Sequence, residues 1–181
     1  QRGQVLLVSG GMMRRNNRPT RLMGYASPRP ELLANPSVEQ DADNSGVPDR
    51  WNVSASGALW SSAQVRTGVR ALRLNVVEAT AQWIAYAFPV AGNVSYYMHA
   101  YVKGTGSGQT FLTIRWWSDA GATAFISEDN IMLNGTYADW TRIVQTFLAP
   151  ASAVRADVVF RCPSPTTADI YGDDFSVRRV N

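Results

Sequence analysis

The 181-residue chain holds one cysteine (Cys162), one histidine (His99) and one lysine (Lys103). A single thiol excludes an internal disulfide and argues neither for nor against secretion. A single imidazole leaves serine–histidine–acid chemistry one base to draw on, and no nucleophile motif accompanies it. Sixteen of the seventeen basic residues are arginine, a bias toward planar, bidentate contacts that genomic base composition would also produce. No apolar run approaches the roughly 18 residues of a membrane span. Gln4 to Val8 is too short for a signal-peptide core, and the main charge cluster follows it instead of preceding it. No Met opens the chain, so the expectation is a trimmed or excised product.

Acidic side chains are also missing from the first thirty residues, which carry six arginines; the other 151 hold eleven basic and fourteen acidic residues. A segment of about +6 therefore precedes a body of about −3, and such asymmetry separates a docking arm from a folded domain. Residues 1–30 read as an extended basic arm and 31–181 as one domain. Val5, Leu6, Leu7 and Val8 suit strand addition to a neighbour, and Arg14, Arg15, Arg18 and Arg21 suit acidic partners. Phosphate contact needs only positive charge and reach. No aromatic residue precedes Tyr25 in the arm, however, and the body is acidic, so nucleic acid ranks below a protein partner. Gly104-Thr-Gly-Ser-Gly108 lacks the Lys-Ser/Thr of a phosphate-binding loop and reads as a hairpin turn.

From Glu31 onward, short alternating runs are separated by Gly, Pro, Asn and Asp, the pattern of an all-β sandwich. Strands are expected at roughly 32–39, 51–55, 58–65, 70–77, 82–90, 94–103, 109–117, 122–127, 139–148, 154–161 and 170–179. Between Val94 and Val102 one face carries Val94, Tyr96, Met98, Ala100 and Val102, and is core. The other carries Tyr97, His99 and Tyr101, too aromatic for an ordinary wet face.

Several stretches in order resemble the carbohydrate-binding modules of families four, nine and twenty-two. They are Leu33-Ala-Asn-Pro-Ser-Val-Glu39, the acidic loop Asp41 to Trp51, Gly68-Val-Arg-Ala-Leu-Arg-Leu74, Val90 to Gly104, Gly135 to Trp140 with Phe147 to Pro150, and Tyr171 to Val177. The resemblance covers about residues 31–180. It implies a galactose-binding-like jelly-roll β-sandwich without catalytic activity, often with a structural calcium. It also implies that Glu39 of the opening strand shares an ion with Asp173 or Asp174 of the last.

Independently of that resemblance, Asp41, Asp43, Asn44 and Asp49 crowd around Gly46. Hard cations want six to eight oxygens of this kind, although an Asx-rich turn explains the same composition. Sugar rings stack on aromatic planes and take hydrogen bonds from nearby polar groups. Tyr97, His99 and Tyr101 form one candidate stripe, Arg115 and Trp117 with Thr113 a second on the next strand, and Trp83 with Gln82 a border. Trp116, Leu112 and Ile114 then point to the core. A neighbouring subunit or the arm would cover the same rings equally well. Asp119, Glu128, Asp129 and Asp139 fall in expected loops with no spacing that selects a glycosidase pair.

These features point to a non-enzymatic decoration (cement-type) subunit of a larger particle, a phage virion first, present in many copies. The arm would dock on a protein lattice, and the domain would face outward with weak glycan adhesion, at the virion surface or otherwise outside the cell, without membrane insertion. The alternative is a polysaccharide-targeting module excised from a secreted glycoside hydrolase, with residues 1–30 as linker.

Overall fold

A strand whose alternate side chains are apolar can bury only one face, so several of them must pair and stack. The computed structural model describes residues 29–180 except 55–56, 78–80, 86, 107–108 and 164–166. In chain order its strands are β1 (Trp51–Ser54), β2 (Ala58–Ser61), β3 (Ala71–Val77), β4 (Ala81–Ala85), β5 (Phe88–Pro89) and β6 (Ser95–Gly106). They continue as β7 (Phe111–Trp117), β8 (Phe125–Met132), β9 (Gly135–Leu148), β10 (Arg155–Cys162) and β11 (Thr167–Arg179). The first sheet runs β1-β4-β10-β7-β8 with β5 also on β10, and the second runs β2-β3-β11-β6-β9. Every pairing is antiparallel, and no helix occurs among the described residues. The two sheets form the jelly-roll sandwich expected from the sequence.

Between the sheets lies an aromatic core. Trp51 and Phe160 each pack against Phe175, at ring-centroid separations of 4.9 and 6.0 Å, and Tyr96 packs against Trp116 at 6.0 Å. Leu112, Ile114 and Trp116 face this core, as their alternation in β7 predicts. The inward set of β6 is Tyr96, Met98, Ala100 and Val102, again as read.

The expected opening strand at 32–39 is not a strand. Asn35 and Val38 take left-handed backbone angles, φ +55° and +57°. The Asn35 side chain instead serves as a local ladder, donating Nδ2 to the carbonyls of Gln40 (3.0 Å) and Asp49 (2.9 Å). Side-chain amides that satisfy the backbone in this way compete with sheet pairing. Two indoles then pin the segment, Trp51 Nε1 on Asn35 O at 3.1 Å and Trp60 Nε1 on Val38 O at 2.8 Å. Its start still covers the edge of β11 that β3 leaves open, through Leu32 N on Val177 O and Phe175 N on Pro36 O, both 2.9 Å.

Other boundaries also move. The 82–90 run splits into β4 and β5, β8 begins at Phe125, and β9 begins at Gly135, where a +107° φ admits the turn. Beside it, β6 carries a register shift between Val102 and Gly104. Gly104 has φ +116°, and a Cβ there would sit 2.2 Å from the carbonyl oxygen of Asp169. Nothing lies within 4 Å of a Cβ added at Gly135. Gly135→Ala should therefore cost only backbone strain, about 1 kcal/mol, whereas Gly104→Ala must also displace a backbone and cost well above about 2 kcal/mol. Urea unfolding of the two variants checks this; equal losses would contradict it.

Candidate functional site

The six acids expected to hold a metal separate into two places. Asp41, Asp43 and Asp49 converge, each offering one carboxylate oxygen within 4.8 Å of the others, and these three could hold a metal ion. They also cap their own loop: Asp41 accepts the amides of Ser45 (2.9 Å) and Gly46 (3.0 Å), and Asp49 that of Ala42 at 3.3 Å. Hydrogen bonding to Ser45 is the main influence holding the Asp43 carboxyl below the usual carboxylate range.

Glu39, Asp173 and Asp174 are instead committed to the turn at 66–70. Glu39 accepts the amides of Val69 (3.0 Å) and Arg70 (3.1 Å), packing where Gly68 (φ +68°) has no Cβ to clash. Asp173 Oδ2 accepts those of Arg66 (2.9 Å) and Thr67 (3.2 Å). Asp174 pairs with the Arg66 guanidinium and the Thr67 hydroxyl. Glu39 and Asp173 thus spend oxygens on backbone N–H groups of this turn and do not join the Asp41, Asp43 and Asp49 cluster.

The ligand-binding candidates divide as well. Trp83 is core, only 1% exposed, and bridges the sheets by donating Nε1 to Arg73 O at 3.3 Å. It borders no outer site. Tyr97, His99 and Tyr101 do share the outer face of the second sheet, stacked edge-on at 5.6 and 6.1 Å. Their rings are already engaged. The Arg66 guanidinium lies 3.5 Å from the Tyr101 ring centre, and Arg142 bonds the Tyr97 hydroxyl. Burial first, then Arg142, keeps the His99 imidazole below its ordinary pKa. Shallow cavities of about 370 and 280 Å³ flank this stripe, the larger beside Lys103, Tyr137 and Tyr171 and the smaller beside His99, Glu31 and Arg178.

Arg115 and Trp117 are not on the neighbouring strand of that face. β7 belongs to the first sheet, so these two lie on the opposite outer face of the sandwich. The register there builds four cross-strand rungs over β10, β7 and β8: Arg161–Phe111–Met132, Val159–Thr113–Asn130, Asp157–Arg115–Glu128 and Arg155–Trp117–Phe125. At about 3.4 Å per residue the rungs span about 20 Å. The floor is inaccessible, with Thr113 and Val159 at 0% and Asp157 at 6% exposure, while Phe125 stands 54% exposed at one end. Trp117 meets Phe125 edge-on at 5.5 Å and donates Nε1 to Asp157 Oδ2 at 2.9 Å. Thr113 donates to Asn130 Oδ1 at 2.6 Å.

The charges on this face are interlocked. Glu128 pairs with Arg161 and, at 3.4 Å, with Arg115 Nε. Burial raises the Glu128 carboxyl, but Arg161, Asn130 and Arg115 outweigh it and hold the group low. Burial dominates at Asp157, whose carboxyl is raised in spite of Arg155, Trp117 and Arg115. Arg155, Asp157 and Arg161 were not singled out from the sequence. Their signal was a charge at 155, 157 and 161, on the alternate positions of a strand whose other side is Ala156, Val158 and Phe160. The arm residues Val5, Leu6, Leu7, Val8, Arg14, Arg15, Arg18 and Arg21 lie outside the described residues.

No protein-family model matches the chain, and neither does any curated protein. Solved structures do. A family 16 carbohydrate-binding module aligns over 81% of this chain and 98% of its own at 19% identity and TM-score 0.57. The CBM22-1 xylan-binding domain from Paenibacillus barcinonensis Xyn10C aligns over 84% and 96% at 15% identity and TM-score 0.53. The enzymatically active domain of bacteriophage CBA120 tailspike protein 4 aligns over 83% of this chain but 21% of its own, at 15% identity and TM-score 0.60. At these identities the likeness is one of fold, the carbohydrate-binding-module jelly roll.

Burial lifts the Asp173 carboxyl to about 6, against the amides of Arg66, Thr67 and Asp174 that favour its charged form. A carboxyl raised above its unfolded value stabilises the native state most below the unfolded pKa, and that contribution is lost as pH rises to the folded value. Stability of the native chain minus that of Asp173→Asn should therefore fall between about pH 4 and pH 6. Denaturant melts at constant ionic strength check the slope. A difference that rises across the window contradicts the assignment.

Proposed function

We propose that this is a non-catalytic glycan-binding module whose ligand lies along the rungs of β10, β7 and β8. One observation carries the reading. Four buried side-chain atoms find no hydrogen-bond partner among the described residues, and three of them, Arg155 Nε, Asp157 Oδ1 and Arg161 Nε, belong to this one face. Buried polar atoms are nearly always paired, so a cluster of unpaired ones is poised for a polar ligand. Sugars offer hydroxyls for such atoms and C–H patches for aromatic planes. Here Phe111 stands at one end of the rungs and Trp117 with Phe125 at the other. Arginines lie over the rings of Tyr97 and Tyr101 on the second sheet, and Arg161 lies over Phe111 on this one, whereas Trp117 and Phe125 are left without an arginine among the described residues.

A binding role is also supported by Glu128, whose carboxyl is held low by its two arginine partners and is a poor proton donor. The folds that resemble this one include modules described as carbohydrate-binding, which supports the same reading. The location is outside the cell or on a virion surface. In the second reading the module decorates a particle such as a phage virion, docked through residues 1–30. Support for it comes from the arm's composition and the likeness to a tailspike domain. A calcium ion, where bound, belongs at Asp41, Asp43 and Asp49, whose hard oxygens suit it.

Affinity electrophoresis against a panel of soluble polysaccharides tests the site. Trp117→Ala should weaken retardation about tenfold or more, while Tyr101→Ala should leave it within about twofold. The reverse pattern places the ligand on the second sheet and overturns the proposal. For the ion, Ca²⁺ added to chelator-stripped protein should release or absorb heat and raise Tm, and both effects should vanish in Asp43→Asn. No heat and no shift in the native chain would reject it.

A further inference from the structure

We infer that the glycan taken by this face is an acidic one, bearing carboxylate groups along its backbone. This rests on the glycan-binding reading above and adds the charge of the ligand. Three arginines, Arg115, Arg155 and Arg161, face two acids, Glu128 and Asp157, across the rungs.

The internal pairing does not exhaust the guanidinium donors. Arg161 spends Nη2 on Glu128 and on Asn130 Oδ1 (3.2 Å), leaving its Nε–H buried and unpaired. Arg155 donates Nη1 to the carbonyl of Ala120 at the rim, and its Nε–H is likewise buried without an acceptor. Arg115 uses only Nε, at 3.4 Å, so its two terminal amino groups have no hydrogen-bond partner among the described residues. A neutral hydroxyl meets one such donor at a time. A carboxylate meets two in one plane, in charge-assisted bonds roughly twice as strong.

Asp157 sets the other requirement. It is 6% exposed, one oxygen is held by Trp117, and Oδ1 sits 3.6 Å from Arg155 Nη2, an ion-pair distance at which no hydrogen bond is made. That oxygen lacks a donor, and a sugar hydroxyl supplies one once the side chains covering it move aside. A strand of phosphodiesters brings charge without a comparable density of hydroxyls and sets it against Asp157. Acid and hydroxyl on the same repeating unit describe a uronic acid polymer.

Isothermal titration with three glycans and a single-stranded oligonucleotide distinguishes the outcomes, the glycans being polygalacturonate, the same polymer methyl-esterified so that charge is removed and ring hydroxyls remain, and neutral xylan. The acid form should bind about tenfold or more tightly than its ester, with affinity falling as salt is added, and Arg115→Gln should lose most of that preference. The esterification comparison needs no variant, so it stands even if Arg115→Gln melts early. Equal affinity for acid and ester overturns the acidic ligand and leaves the glycan reading intact. No affinity for any of the three glycans overturns both. A single-stranded oligonucleotide bound as tightly as polygalacturonate shows that charge alone is read, and also overturns the inference.

Discussion

The contact of Phe160 with Phe175 joins the central strands of the two sheets, that of Phe175 with Trp51 ties in the edge strand β1, and everything else is arranged around them. Burial of large apolar and aromatic side chains is the dominant favourable term in such a sandwich. It claims every inward position of β10, β7, β6 and β11. Strand periodicity then leaves only the outward positions for recognition. The chain has two such faces, and the function depends on which of them is still chemically open.

They differ in how far they satisfy themselves. On the second sheet, Arg66 is fixed by Asp174 and lies over Tyr101, Arg142 reaches the Tyr97 hydroxyl, and Glu31 bonds Val177 N at 2.8 Å. These rings and charges close on one another except at His99, whose Nδ1 is buried without a partner among the described residues. On the first sheet the pairing is incomplete: Glu128 answers Arg115 and Arg161, Asp157 answers one indole and Arg155, and the Nε groups of Arg155 and Arg161 are left over. Cavities of about 370 and 280 Å³ border the second sheet's face, and one of about 220 Å³ lies at the rim of the first sheet's, beside Ala120, Val154 and Arg155. An elongated polymer, however, needs a strip of side chains with exposed tips, such as Phe125 and Met132, more than an enclosed volume.

The alternation of Tyr96, Met98, Ala100 and Val102 against Tyr97, His99 and Tyr101 was legible in the sequence, as were the sandwich class and the inward direction of Trp116. Sheet membership was not. β6 and β7 are consecutive, yet β7 crosses to the other sheet, and alternation within each strand is the same whether or not they pair. This is why Tyr97 and Trp117 seemed to share a surface, and why Trp83 was read as a border when it bolts the sheets together. The opening segment misled for a different reason: Asn35 replaces strand pairing with side-chain bonds that no periodicity records. Glu39 and Asp173 meet at the turn at 66–70, where both accept its amides, a shared role that residue type and spacing do not announce. Arg155, Asp157 and Arg161 were overlooked because a central strand with charges on one side reads as a plain half-buried strand.

Amide and indole shift mapping by NMR, with an oligosaccharide added to the labelled chain, tests the choice of face most directly. The account predicts that the Trp117 indole N–H and the amides of Arg115, Asp157 and Glu128 move together, while those of Tyr97, His99 and Tyr101 stay in place. Shifts confined to the Tyr97–Tyr101 stripe, with the Trp117 indole unmoved, would contradict it.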